Sequence, residues 1–250
     1  MFGLLKRKLE PVTSPSLEGP VTVACNICGS VEFADVNGRK GVLCARCGSY
    51  ERTRLMKLFI EALRLGPKTR VLHLAPERGL SVWLSQQFRD YVPADYDLPR
   101  YSHIPGIVKV DLCQRDYGLS GKFDLILHSH VIEHLPINYA VVLIRLHKML
   151  ARDGRHMFSV PIYGKSYEES LATLSAEEAT RRFGQFDHVR RFSPVDIGST
   201  IGSVFDIPEQ YDLLEHFSEA QLRAASVPED AWKTYTGNSV FCLKPGDLLV

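Results

Sequence analysis

Residues Phe123 to Leu135 read FDLILHSHVIEHL. The first half, FDLILHS, is a nearly continuous apolar run. It is too short for a stable helix and suits a strand buried on both faces. The second half places three titratable residues, His130, Glu133 and His134, directly after that strand. In an open α/β sheet, ligands sit outside the carboxyl ends of the strands, so titratable residues at a strand end mark a candidate site.

Working outward from this stretch, short apolar runs alternate with helical patterns. Upstream lie RVLHLAPE, the helical stretch LSVWLSQQF, then YVPADYD and IVKVDL. Downstream lie the amphipathic NYAVVLIRLHKML, the turn ARDG, and RHMFSVPI. SVFCLKP reads as a last strand after the turn Thr236-Gly237-Asn238. This alternation predicts a mostly parallel sheet with helices on both faces. The strand ends then collect Ala75, Pro76, Glu77 and Gly79 after the first strand, Asp95 and Tyr96 after the second, Asp111 and Leu112 after the third, and His128 and Ser129 at the fourth. An acid at such an end can accept hydrogen bonds from ligand hydroxyls or amines, and small residues let backbone approach a ligand.

VLHLAPERGL, YVPADYD, KVDLCQ, FDLILHSHVIEHL and LARDGRHMFSVPI together resemble the successive motifs of the class I S-adenosylmethionine-dependent methyltransferases, over roughly Thr69 to Pro245. FGQFDHVRRFSP resembles a later stretch of that family. The resemblance implies a Rossmann-like α/β domain over 67–250 and S-adenosylmethionine as cofactor. It assigns Asp95 to the ribose, Asp111 with Leu112 to the adenine, and His128 and Ser129 to the methionine part. The family's first loop is usually glycine-rich after an acid. Here His73 stands at the acid's place, Ala75 and Glu77 replace two glycines, and Gly79 remains.

Four of the six cysteines form two C-x-x-C pairs, CNICGS and CARCGS, at Cys25, Cys28, Cys44 and Cys47. Their spacing is that of a tetrahedral zinc site with four thiolates. Gly29 and Gly48 suit a knuckle turn at positive φ, which would aim backbone N–H groups at sulfur. A closed four-thiolate site is structural and leaves no open coordination position. Cys113 and Cys242 read as buried free thiols. The domain reading is a flexible tail over 1–20, a zinc ribbon over 21–48, a connecting helix over 49–66 ended by Gly66-Pro67, and the methyltransferase-like domain.

Residues 1–70 carry 12 Lys/Arg against 6 Asp/Glu, a net +6, and the remainder is net −5. No apolar run reaches the roughly 20 residues of a membrane helix, and the charges of MFGLLKRKLEP follow its apolar stretch. A cytoplasmic protein with no membrane contact is expected.

Methyl transfer needs positioning, and a general base where the acceptor is a hydroxyl. His130, Glu133, His134 and His188 are the candidate bases, the three histidines first, with Asp187 or Arg190 to orient His188 or to grip a substrate anion. His130-Val-Ile-Glu133-His134 also matches the H-x-x-E-H pattern of zinc peptidases, which requires a long helix rather than a strand end. A divalent metal at His130, Glu133 and His134 stays open, as does a capping role for Glu133 and His134. The stretch from Ser166 to Arg182 reads as a helical lid. The expected function is methyl transfer to a small-molecule or glycan-type acceptor. RNA is a possible but less favoured acceptor, because the basic ribbon lacks an aromatic stripe. A non-catalytic scaffold, supported by the altered first loop, is the reading from another class.

Overall fold

The computed structural model describes residues 22–250, so the expected tail over 1–20 lies outside the described residues. An antiparallel hairpin, β1 (Phe33–Val36) and β2 (Arg39–Cys44), leads into helix α1 (Glu51–Ala62). Then follow β3 (Arg70–Leu74), α2 (Arg78–Gln87), β4 (Asp90–Asp95), β5 (Val108–Lys109), β6 (Phe123–Ser129), α3 (Tyr139–Lys148) and β7 (Leu150–Ser159). Two short strands, β8 (Glu168–Glu169) and β9 (Arg190–Arg191), bracket α4 (Ala176–Phe183). Helix α5 (Glu219–Ala224) and strand β10 (Phe241–Leu243) complete the set.

The main sheet has the order β10-β7-β6-β3-β4-β5. Its first five strands in sequence are parallel, and β10 joins β7 antiparallel. The chain starts in the middle at β3, winds out to β5, then crosses back to β6 beside β3. This is the doubly wound Rossmann order, with its switch point between β3 and β6. β6 is buried nearly throughout, as its apolar run requires.

Several boundaries differ from the sequence reading. Helix α1 begins after Ser49, because Ser49 belongs to the cysteine knuckle: its carbonyl accepts the Cys44 N–H. The helix stops at Leu63, where Arg64 turns left-handed (φ 49°) before Gly66 is reached. ARDG is not a free turn. It lies within β7, where the pairing with β6 slips between Phe123 and Leu125. The stretch from Ser166 to Arg182 is helical only from Ala176, between a Ser175 N-cap and a left-handed Gly184. On either side of that helix, opposite charges pair the two short strands, with Glu168 opposite Arg191 and Glu169 opposite Arg190.

Helix α1 is tied to both parts of the chain. Leu55, Met56, Phe59 and Ile60 are buried in the core of the main sheet. On another side the fully buried Arg54 donates to the carbonyls of Val42, Ser49, Ala225 and Ser226. A buried guanidinium is tolerated only when its donors are used, and these four carbonyls use them. No helix among the described residues is long and apolar enough to cross a membrane.

Candidate functional site

β3 and β6 meet at the switch point, and both end in a residue with left-handed backbone. Ala75 follows β3 at φ 48° and His130 follows β6 at φ 52°. Non-glycine residues there cost on the order of 1 kcal/mol or more, and such strain gathers at functional sites. The two turns are fixed by backbone bonds from Ala75 to Ala94 (3.0 Å) and from His130 to Ser159 (3.1 Å). Beyond them opens a cleft of about 720 Å³.

The cleft gathers most of the residues the sequence singled out: Ala75, Glu77, Asp95, Tyr96, Asp111, Leu112 and Ser129, with His130, His134 and His188. Asp95 accepts the Asp97 N–H at 2.7 Å, and burial raises its carboxyl above the usual range. Asp111 accepts from the Cys113 N–H and from Gln114. Both acids therefore brace their own turns while facing the cleft.

Three expected cofactor residues lie elsewhere. His128 is fully buried, with Nε2 3.0 Å from His156 Nε2 and its ring stacked on Phe158. Side chains alternate along a strand, so His128 turns into the core while Ser129 reaches the cleft. Pro76 is buried and does not line the cleft. Gly79 meets the cysteine cluster instead: a Cβ there would lie 3.0 Å from Cys47 Cβ, O and Sγ. Its missing side chain lets α2 approach the ribbon. Cys113 is only partly buried and lines the cleft, and Cys242 is also partly exposed.

The sequence reading missed Arg52 altogether. Arg52 reaches from α1 into the cleft, donates to Ser129 Oγ at 2.9 Å and lies 3.6 Å from Glu77 Oε1. Thr53 donates to the same Glu77 oxygen. Glu133 is 0% exposed, and neither carboxylate oxygen has a hydrogen-bond partner. Burial, against the opposing charges of Arg52 and Arg190, pushes its carboxyl up to about 8. It caps nothing.

Around Glu133 the histidines have defined tautomers. His130 Nε2 faces the Gly237 carbonyl at 3.0 Å, which can only accept, so the proton sits on Nε2 and Nδ1 carries the lone pair. That Nδ1 lies 3.4 Å from Glu133 Oε1. His188 Nδ1 likewise donates to the Phe183 carbonyl, leaving the lone pair on Nε2. Burial and the neighbouring His134 push His188 down to about 4, so it is neutral at pH 7. Asp187 pairs with His134 Nδ1 (3.2 Å) rather than with His188. Arg190 is a clamp, not a substrate grip: it donates to the carbonyls of Ile132 and Ile137 and to Glu169, holding the 185–190 segment over the strand end.

The four cysteines converge as their spacing predicts. Cys25 and Cys47 sulfurs are 3.6 Å apart, Cys28 and Cys44 are 3.5 Å apart, and all four lie within 4.8 Å of one another. Thiolates on one tetrahedral zinc lie about 3.8 Å apart, so the cluster fits a zinc ribbon. Gly29 and Gly48 have φ 74° and 72°. Their N–H groups close the knuckles onto the Cys25 and Cys44 carbonyls rather than onto sulfur. The buried Ser49 hydroxyl lies 3.2 Å from Cys25 Sγ and 3.3 Å from Cys47 Sγ, a supporting contact of the kind that orients metal ligands.

No family model matches the sequence, and no curated protein does. Among solved structures, the chain is similar to coclaurine N-methyltransferase bound to N-methylheliamine and SAH, at 14% identity and a TM-score of 0.47. That likeness covers 68% of this chain and 55% of the other, so it spans little more than half of that enzyme. The N-methyltransferase NodS from Bradyrhizobium japonicum, in complex with S-adenosyl-l-homocysteine, is similar at 15% identity over 68% of this chain and 80% of that one, with a TM-score of 0.39. The YcgJ protein of Bacillus subtilis is similar at 12% identity, 72% and 80% coverage and a TM-score of 0.43. Identities this low concern the fold alone, and the strand order speaks to it directly. With a parallel sheet wound out from β3 in both directions and an antiparallel last strand, the chain has a Rossmann-like α/β fold, preceded by a four-cysteine cluster that fits a zinc ribbon.

Proposed function

We propose that the chain is an S-adenosylmethionine-dependent methyltransferase acting on a small-molecule or glycan-type acceptor, with a structural zinc ion held by Cys25, Cys28, Cys44 and Cys47. One observation carries the reading. The strained turn at Ala75, the carboxylate of Asp95 and the Asp111-Leu112 pair come from three strand ends and line one cleft at the switch point. Its volume lies within the range of small-molecule sites.

In this reading Asp95 accepts from the ribose hydroxyls, and Asp111 with Leu112 borders the adenine. Arg52 supplies a positive charge for the carboxylate of the cofactor's amino-acid end, a task that Glu77 cannot perform. Glu77 instead holds Arg52 in place. Bound there, the cofactor supplies an electrophilic methyl group. The chain's part is to hold the acceptor in line with that methyl and to keep water out. The neutral imidazoles of His134 and His188 face the same space.

Calorimetry with S-adenosylmethionine tests this reading, and no binding at millimolar cofactor sinks it. Asp95→Ala is expected to weaken cofactor binding about 10–100-fold, the loss of charge-assisted hydrogen bonds. His188→Ala is expected to change it by less than about threefold, since no cofactor contact is lost. The reverse order would show that the strand-end assignment is wrong.

A further inference from the structure

Glu133 presents an unsolved problem in electrostatics. A carboxylate with no exposure and no donor to either oxygen is among the costliest groups a fold can bury. The nearest nitrogen, His130 Nδ1, offers a lone pair rather than a proton. The nearby guanidinium groups are occupied elsewhere, Arg52 by Ser129 and Glu77, Arg190 by three other acceptors. Either a proton or a bound cation must answer this group.

One ligand atom each from Glu133, His134 and His188 lies within 4.8 Å of the others. Atoms on one small divalent ion, at bonds of about 2.1 Å, lie about 3–4 Å apart, so modest side-chain rotation closes the set. The supporting contacts match those of metal ligands. His188 donates Nδ1–H to the Phe183 carbonyl, and His134 Nδ1 faces the Asp187 carboxylate. Each contact leaves Nε2 as the coordinating nitrogen, the carbonyl- or carboxylate-backed arrangement that fixes a ligating imidazole. Two imidazoles with one carboxylate suit zinc, cobalt, manganese or iron(II), whereas magnesium and calcium prefer oxygen alone. The charges of Glu133 and Asp187 balance a divalent ion.

We propose that Glu133, His134 and His188 form a binding site for one divalent first-row transition-metal ion in the wall of the cleft, separate from the four-cysteine cluster. Three protein ligands leave coordination positions open. Because His134 and His188 line the cleft, those positions face the space where an acceptor hydroxyl, carboxylate or amine would lie. The inference does not rest on the methyl-transfer reading, because metal occupancy requires neither cofactor nor acceptor.

The full chain, with zinc already on the cysteines, is titrated with Mn²⁺ and followed by the paramagnetic resonance signal of the free ion. Co²⁺ is titrated in parallel. Its spectrum separates nitrogen and oxygen ligation from thiolate ligation. One Mn²⁺ or Co²⁺ per chain is expected beyond the cysteine-bound ion. Affinity is expected to fall at least about tenfold in Glu133→Gln and in His134→Ala. His134 is partly exposed, so its loss endangers the fold least, and one retained zinc per chain confirms that each variant is folded. No binding of either ion beyond the cysteine site overturns the proposal and means that a proton on Glu133 takes the place of the ion. Equal binding by the wild type and both variants overturns it as well. A chain that binds Mn²⁺ but not S-adenosylmethionine would remove the methyl-transfer reading and leave this site standing.

Discussion

Cys44→Ser is expected to abolish zinc binding and to lower the unfolding free energy by about 5 kcal/mol or more. Structural zinc in small ribbons contributes on the order of 10 kcal/mol of apparent free energy, comparable with the whole stability of an average domain. The effect should not stay within the hairpin. Cys44 is fully buried, Cys47 touches Gly79 at the start of α2, and the Ala24 N–H donates to Ala224 at the end of α5. Metal analysis with calorimetric unfolding checks this. About one zinc per chain in the wild type and none in the variant is the expected result. A variant that melts with the wild type would show that the cluster holds no structural ion.

Acidification from pH 7.5 to 5.5 is expected to destabilise the fold through its buried imidazoles. His73 and His128 are each pushed down to about 3 by burial, and His156 is also driven well below its ordinary value by burial and by His128. His73 donates Nδ1–H to the Tyr91 hydroxyl, which passes a hydrogen bond on to Ser81. The unfolded chain takes up a proton at each of these imidazoles near 6.5, whereas in the folded chain His73 and His128 do so only near about 3, and His156 only well below its ordinary range. Stability is therefore lost as pH falls from about 6.5 towards 3. His73 and His128 each contribute about 1.4 kcal/mol of loss by pH 5.5, and His156 acts in the same direction. Glu133, with its raised carboxyl, acts in the opposite direction over the same range when no ion is bound. Comparison with His73→Phe removes that complication, because the Glu133 contribution is common to both proteins. The variant's stability should fall about 1.4 kcal/mol less between the two pH values. Parallel curves would show that His73 binds its proton equally in the folded and unfolded chain.

FDLILHS was legible residue by residue: it became β6 over Phe123–Ser129, because a central parallel strand needs an unbroken apolar run. The strand-end acids were legible for the same reason, since the sheet order dictates which ends share the cleft. The cysteine pairs needed only their spacing. What failed to show depended on partners distant in sequence. Gly79 looks like the last glycine of a cofactor loop, and only the packing of α2 on the ribbon reveals Cys47 beside it. Arg52 sits among other charged residues on an amphipathic helix, with nothing in the periodicity to mark it as the one that enters the cleft. Glu133 occupies a place where glutamates commonly cap helices, and only its lack of donors shows that it does not. His128 and Ser129 are neighbours in sequence with opposite fates, because one pleat separates the core from the cleft.

Three successive residues of α1 face three different tasks. Arg52 braces the cleft at Ser129, Thr53 holds Glu77 at the start of α2, and Arg54 gathers carbonyls from the hairpin, the knuckle and the end of α5. No cut in the chain between the ribbon and the first core strand separates an appendage from an engine. A fragment starting at β3 would lack the arginine that completes its own cleft and would expose the apolar face that α1 covers. The smallest part of this chain that keeps both the cleft and the core intact therefore includes the ribbon and α1.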